Sequence, residues 1–227
     1  GRGIALALAD AGAAVVINAH LSRDLAEGVA NEITGGGGRA IVHMADVTDE
    51  AQVAGLIQAA VDEFGGLDIL VNNVAARKQT LMADTSYEDW REVMVSILAS
   101  AFLCTRAAIP HLIAGGRGSI VNLGGVSGFA GVALRSHVAT AKAGISGMTG
   151  LLAVELAPHN ITVNCTSPGH IDTPHEGGLP KHFQDKTPPL GRSGPVEEIA
   201  ATARFLCGPG GRDITGETIH VKGGSHT

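Results

Sequence analysis

Histidine and lysine are the residue types in this chain that suggest proton transfer. His137 and Lys142 lie in one stretch of helical character. Because imidazole titrates near neutral pH, His137 can donate a proton to a carbonyl oxygen. Val138 and Lys142 are four residues apart, so they lie on the same face of a helix. His137 precedes Val138 by one residue, which places it about 100° around the helix and off that face. A structural or interfacial histidine is therefore the competing interpretation.

The sequence contains no set of metal ligands at a recognisable spacing. The other histidines considered show neither an HExxH pattern nor another tight ligand spacing, so we expect no metal site. They are His170, His175, His182, His220 and His226. Cys104, Cys165 and Cys207 are odd in number and widely separated, which argues against disulfides and thiolate zinc. We expect a cytoplasmic protein without metal.

Length and charge exclude several functional classes. The 227 residues, 23.0 kDa in mass, fit one large α/β domain or two small ones. A net charge of -6 and a pI near 5.9, without a Lys/Arg-rich run, argue against nucleic-acid binding and an anionic membrane surface. The apolar runs over 5–9 and 13–17 are shorter than the roughly 20 residues that span a bilayer. No signal-peptide pattern opens the sequence.

Apolar strands and amphipathic helices are predicted to alternate along the chain. After an opening helix that ends at Gly12, strands are predicted over 13–17, 40–43, 67–72, 118–123, 160–165 and 217–221. Helices are predicted over 22–33, 49–64, 87–114, 136–156 and 195–207. This alternation is typical of an α/β fold with a doubly wound parallel sheet. We expect a single domain over 1–227, with a probable substrate loop over 174–190.

Several motifs in a fixed order carry a family resemblance. The run Asn72-Asn73-Val74-Ala75, at the end of a predicted strand, resembles the Asn-Asn-Ala-Gly signature of the short-chain dehydrogenase/reductase family. The likeness continues through Ala141-Lys142-Ala143-Gly144, Ser167-Pro168-Gly169 and Ile214-Thr215-Gly216. The resemblance implies a Rossmann-like fold that places NAD(H) or NADP(H) across the carboxyl ends of its strands. It also implies hydride transfer between the nicotinamide and a carbonyl or alcohol.

The start of the sequence resembles the end of the family's glycine motif. Gly1 is similar to the last glycine of Thr-Gly-x-x-x-Gly-Ile-Gly, where the backbone approaches the cofactor pyrophosphate. In the family a strand precedes this motif at the centre of the sheet. We expect that first strand to be missing because the sequence is truncated, which would expose the edges of two buried strands.

The resemblance assigns further residues to the cofactor. Asp46 and Val47 match positions that bracket the adenine, and Asn73 matches a position near the adenosine ribose. Lys142 matches a lysine that hydrogen-bonds the nicotinamide ribose hydroxyls. The loop that lines the nicotinamide and its phosphate is represented by Pro168, Gly169, Ile171 and Thr173.

The segment after the strand over 13–17 favours NADP(H) over NAD(H). In Rossmann-like folds an Asp or Glu at this place binds the ribose 2′-hydroxyl of NAD. No acid stands between 18 and 23, whereas His20, Ser22 and Arg23 can meet a 2′-phosphate. The alternative is that Ser22 caps the next helix and Arg23 is solvated.

The catalytic positions of the family are mostly changed in this chain. The tyrosine position reads Val138, the serine position Gly125 and the asparagine position Ile97, while the lysine is kept as Lys142. The nearest serine, Ser127, stands two residues late. Proton transfer would therefore need an unusual acid or water.

Two functions follow from these residues. The first is an NAD(P)(H)-dependent oxidoreductase for a small molecule, with Lys142 and His137 as catalytic residues. The second is a cofactor-binding pseudoenzyme that acts as a redox sensor or non-catalytic subunit. The resemblance also implies a homo-oligomer, a tetramer or dimer, built from the helices over 87–114 and 136–156.

Overall fold

The computed structural model describes residues 1–173 and 187–225, and its regular elements follow the predicted alternation. The helices are α1 Arg2–Asp10, α2 Arg23–Gly35, α3 Glu50–Phe64, α4 Tyr87–Met94, α5 Ser100–Ala114, α6 Ser136–Leu156 and α7 Val196–Cys207. The strands are β1 Ala14–Ala19, β2 Arg39–Met44, β3 Ile69–Asn72, β4 Gly118–Leu123, β5 Ile161–Pro168, β6 Ile171–Asp172, β7 Gly194–Pro195 and β8 Thr218–Val221. Most of the expected substrate loop over 174–190 lies outside the described residues, as do His175, His182 and His226.

The strands form parallel sheets with helices on both faces, as predicted. Strands β3, β4, β5 and β8 pair in that order, β1 pairs with β2, and β6 pairs with β7. Ile120 of β4 packs with helices α3, α5 and α6, whereas Val121 packs with α1 and α7. Because neighbouring side chains of β4 enter opposite helical layers, the strand is buried on both faces. The doubly wound α/β class is confirmed.

A groove separates the pair β1 and β2 from the four-stranded sheet. Among the described residues, the facing edges of β1 and β3 do not pair with any strand. The groove between them has a volume of about 790 Å³, and Val15, Ile17 and Ile69 contribute to its apolar wall. The groove continues to Lys142, so it connects the sheet edges with the predicted site.

The helical zone predicted over 87–114 is continuous but not uniformly α-helical. Helix α4 passes into a π-helical stretch, Val95–Ala99, before α5 begins at Ser100. By length and hydropathy alone, the run Tyr87–Ala114 could cross a membrane. However, Val93, Ala108 and Leu112 on this run are fully buried within the protein. It therefore packs as a core helix.

Candidate active site

Buried hydrogen bonds fix the edge of the sheet where the predicted site residues lie. Asn72 Nδ2 donates to Asn122 Oδ1 at 2.8 Å and to Thr105 Oγ1 at 3.1 Å. Asn122 Nδ2 in turn donates to Thr149 Oγ1 at 3.0 Å. These bonds connect β3 and β4 to α5 and α6. These hydrogen bonds therefore fix the ends of β3 and β4 relative to α6, the helix that carries Lys142.

Lys142 is a buried lysine at this edge. Its side chain lines the groove, only 6% of the residue is exposed, and Nζ donates to Leu123 O at 2.5 Å. Burial lowers the pKa of Lys142 to about 8, with Arg135 adding to the decrease and Cys165 opposing it. An ammonium group has three N–H donors, so two remain after the bond to Leu123. Lys142 can therefore both bind hydroxyl oxygens and exchange a proton near neutral pH.

His137 has a different environment from Lys142. It is fully buried, it does not line the groove, and neither ring nitrogen has a hydrogen-bond partner among the described residues. Burial lowers its pKa and Arg135 and Lys78 lower it further, whereas the Asp89 carboxylate on α4 opposes this decrease. The structure thus brings Lys142 to the groove but places His137 away from it. The catalytic role of His137 stays a prediction.

Four of the residues expected to bind cofactor line the groove. They are Gly1, Val47, Asn73 and Lys142. A Cβ atom on Gly1 would lie 3.2 Å from Asn73 Nδ2, so the missing side chain leaves room beside the amide. The groove thus brings the start of α1, the end of β3 and the buried lysine to one surface.

His20 and Asp46 lie together at the carboxyl ends of β1 and β2. His20 Nδ1 is 3.9 Å from Asp46 Oδ2, and both side chains are partly exposed. Thr48 donates to Asp46 Oδ1 through its backbone nitrogen at 2.9 Å and its hydroxyl at 2.7 Å. These bonds lower the pKa of Asp46, with a smaller contribution from His20. Asp46 therefore stabilises its own turn while it lies beside His20.

The residues expected near the nicotinamide follow β5. Pro168 pairs with Val221 of β8, and Gly169 N donates to Val221 O at 2.9 Å. A Cβ atom on Gly169 would lie 2.7 Å from Lys222 Cα, so this close approach requires glycine. Ile171 is in β6, and Thr173 is the last described residue before the segment over 174–186. These four residues do not line the groove that contains Lys142.

The three changed positions differ in their surroundings. Val138 and Ile97 are each 1% exposed and pack in one apolar cluster between α6 and the π-helical stretch. Gly125 has extended backbone angles, φ 166° and ψ 148°, which any residue can adopt. A Cβ atom there would lie 3.9 Å from Lys142 Cγ and 3.8 Å from Ser127 Oγ, which is ordinary contact. Two positions are therefore filled by apolar side chains, and the third is open.

Comparison with known proteins identifies the family. A sequence profile described as enoyl-(acyl carrier protein) reductase matches residues 1–226. The 3-oxoacyl-(acyl-carrier-protein) reductase of Synechocystis sp. is 38% identical over 225 residues, covering 99% of this chain and 91% of that protein. The chain belongs to the short-chain dehydrogenase/reductase family. A reductase of the same name from Staphylococcus aureus is 35% identical over 229 residues, covering 100% of this chain and 93% of that protein.

Solved structures of this family agree closely with the fold. A short-chain dehydrogenase from Burkholderia cenocepacia, solved in complex with NADP, has a TM-score of 0.93 at 32% identity and covers 100% of this chain and 93% of that chain. A dehydrogenase/reductase from Sinorhizobium meliloti has a TM-score of 0.94 at 32% identity, covering 100% and 90%. The chain is thus an oxidoreductase of the short-chain dehydrogenase/reductase type that uses NAD(P)(H). The pseudoenzyme alternative receives no better support.

Ser127 is a possible site residue that the spacing of the sequence did not indicate. It lies in a 3-10 turn, Val126–Gly128, directly after the strand end that holds Lys142. The two-residue offset from the family position suggested that its hydroxyl lies elsewhere. The turn instead folds the chain back, so the hydroxyl lies near the vacant side-chain position of Gly125. The spacing of residues in the sequence does not predict that this turn brings Ser127 back towards Gly125.

Proposed function

We propose that this protein uses NADP(H), in preference to NAD(H), to interconvert a small carbonyl compound and its alcohol. The single observation that carries the proposal is the position of Lys142, whose Nζ is held by Leu123 O at the carboxyl end of β4 and faces the groove. A buried ammonium at a strand end is placed to bind the hydroxyls of a nucleotide sugar. The Burkholderia neighbour, which was solved with NADP, supports the same cofactor.

Each end of the cofactor would meet a separate set of residues. Asp46 and Val47 would flank the adenine, and Asn73 would lie near the adenosine ribose. At the other end, Lys142 would donate to the nicotinamide ribose hydroxyls. The nicotinamide and its phosphate would meet Pro168, Gly169, Ile171 and Thr173. When bound, the cofactor supplies or accepts the hydride, and the residues of the chain bind, orient and exchange protons.

The preference for NADP(H) is argued from the charge at the end of β1. Segment 18–23 contains no acid that would repel a 2′-phosphate, and His20 presents a partly exposed imidazole there. Asp46 Oδ2 lies 3.9 Å from Nδ1 of this imidazole. Contact with His20 would favour the binding of a phosphate near both groups, whereas repulsion by the Asp46 carboxylate would disfavour it. His20 is therefore the residue on which the preference depends.

The named relatives suggest where to look for the substrate. Two of them are called 3-oxoacyl-(acyl-carrier-protein) reductases. We therefore propose a 3-oxo thioester as the first compound to test. Such a compound carries the carbonyl that hydride transfer requires.

We also propose a cytoplasmic homo-oligomer. Helix α6 exposes 63% of Leu151 and 78% of Val154, and Phe102 on α5 is 48% exposed. Apart from the backbone of α6 itself, no described atom lies within 4 Å of the Cβ positions of Gly147 and Gly150, so a second helix can approach closely. Apolar side chains beside small residues favour contact with another copy of the chain, as a dimer or tetramer. The free thiols of Cys104, Cys165 and Cys207 suit a reducing compartment.

The test is a fluorescence titration of NADPH and NADH into the purified protein. We expect saturable binding of both, tighter for NADPH, and at least a 10-fold loss of affinity in Lys142→Ala. Thr140→Ala, an exposed substitution on the same helix, is the matched control and should bind normally. His20→Ala should weaken NADPH binding and leave NADH binding unchanged. Absence of binding to either nucleotide would refute the proposal.

A further inference from the structure

Ser127 has a free hydroxyl beside the buried lysine. Among the described residues its Oγ forms no hydrogen bond, and the residue is only partly buried, so a ligand can reach it. Oγ lies 3.8 Å from the Cβ position of Gly125, and Lys142 Cγ lies 3.9 Å from the same point. The hydroxyl and the lysine side chain thus lie next to the same point, where residue 125 carries no side chain.

The hydroxyl and the ammonium have the chemistry needed to bind a carbonyl oxygen. A carbonyl that accepts a hydride develops negative charge on its oxygen, and hydrogen-bond donors fixed at that oxygen stabilise the charge. The Ser127 hydroxyl is one donor. Lys142 keeps two N–H groups after the bond to Leu123 O, enough for both a sugar hydroxyl and the substrate oxygen.

We propose that Ser127 and Lys142 are the reacting pair of this enzyme: the Ser127 hydroxyl binds the substrate carbonyl oxygen and the Lys142 ammonium protonates it. This rests on the proposed function, because the carbonyl carbon must receive a hydride, with its electron pair, from the nicotinamide cofactor. As the oxygen becomes an alkoxide, its new O–H bond forms while one N–H bond of Lys142 breaks. The resulting neutral amine regains a proton from water, and the products are the alcohol and the oxidised cofactor.

The surroundings of Lys142 make this role chemically reasonable. The side chains at the family's tyrosine and asparagine positions, Val138 and Ile97, carry no acidic hydrogen. Burial holds the pKa of Lys142 near 8 rather than 10.5, so the ammonium releases a proton more readily than an exposed lysine. It remains protonated at pH 7 and can act as the acid.

The first test measures the hydrogen bond without turnover. The probe is S-acetoacetyl-N-acetylcysteamine labelled with carbon-13 at the keto carbon, bound without cofactor and observed by infrared difference spectroscopy. In the wild-type protein we expect the keto stretch at lower frequency than in water-free solvent, and in Ser127→Ala we expect that shift to disappear. Gly125 has room for a side chain, so Gly125→Ser in the Ser127→Ala background should restore it.

The matched control is Ser136→Ala. Ser136 Oγ is buried on α6 without a hydrogen-bond partner among the described residues, so it is a second unpaired hydroxyl on the helix that carries Lys142. Its removal should leave the keto frequency unchanged. A wild-type spectrum without a shift, or a shift lost in Ser136→Ala instead, would overturn the assignment of Ser127.

The second test separates this inference from the proposed function. Ser127→Ala should bind NADPH within 2-fold of wild type but reduce the thioester about 100-fold more slowly, the loss typical of one oxyanion donor. Lys142→Arg keeps a positive charge but cannot release a proton, so reduction should fall at least as far. Wild-type reduction should decrease as the pH rises through about 8. Normal NADPH binding together with undiminished reduction in Ser127→Ala overturns the inference alone, whereas loss of NADPH binding in the wild type refutes the proposed function.

Discussion

Replacing Lys142 by methionine tests the energetic cost of keeping a charge in this site. The pKa of Lys142 is lowered from 10.5 to about 8 in the folded protein, and each unit of pKa corresponds to about 1.36 kcal/mol. Between these two values the unfolded chain binds more protons than the folded chain, so the stability of the wild type rises with pH. Lys142→Met has no such group. The wild-type free energy of unfolding should therefore increase by about 3 kcal/mol relative to Lys142→Met between pH 7.5 and pH 10.5.

Urea denaturation of both proteins at the two pH values measures this quantity. All other titrating groups are shared, so their contributions cancel in the difference between the two proteins. The lost hydrogen bond to Leu123 O shifts Lys142→Met by a constant amount and cancels likewise. A difference that stays within about 0.5 kcal/mol across the range would show that the lysine is not desolvated as the structure indicates.

Three further predictions follow from packing. Gly128→Ala should destabilise the protein by about 1–3 kcal/mol in urea denaturation, because its Cβ would lie 2.9 Å from the backbone nitrogen of Ala143 on α6. The control is Gly131→Ala, which should leave stability unchanged because no described atom lies within 4 Å of its Cβ position. Asn122→Ala should cost about 1–3 kcal/mol by the same measurement, because it removes the centre of a buried hydrogen-bond chain. Val154→Asp should lower the mass of the oligomer in sedimentation velocity; an unchanged mass would exclude α6 as its interface.

The fold was predictable because its strands carry strong local signals. Strand β4 was predicted with its observed bounds, since its apolar residues are bounded by glycine before it and after it. Helix α3 begins after Asp49, whose side chain accepts from Gln52 N, and ends at Gly65 with φ 82°. Each end of this helix is therefore marked in the sequence by a single residue. The π-helical stretch at Val95–Ala99 was missed because it leaves the apolar periodicity of the helical zone unchanged. The single domain over 1–227 stays a prediction.

The site was less predictable, because contacts between loops are not encoded by spacing alone. The sequence placed Gly1, Val47, Asn73 and Lys142 near the cofactor by resemblance, and the structure brings these four to one groove. It gave no reason to prefer Ser127, whose relation to Lys142 arises from a turn after β4.

The three changed positions are linked through one physical effect. Val138 and Ile97 pack together in a cluster that includes Cys165, so hydroxyl and amide groups are replaced by an apolar wall. Cys165 lies within electrostatic range of Lys142, and burial in these surroundings is the main cause of the lowered lysine pKa. The chain thus lacks the usual acid but keeps a buried ammonium whose pKa is lowered to about 8. Gly125 carries no side chain, and its Cβ position lies 3.8 Å from the Ser127 hydroxyl and 3.9 Å from Lys142 Cγ, which is where we propose that the substrate oxygen binds.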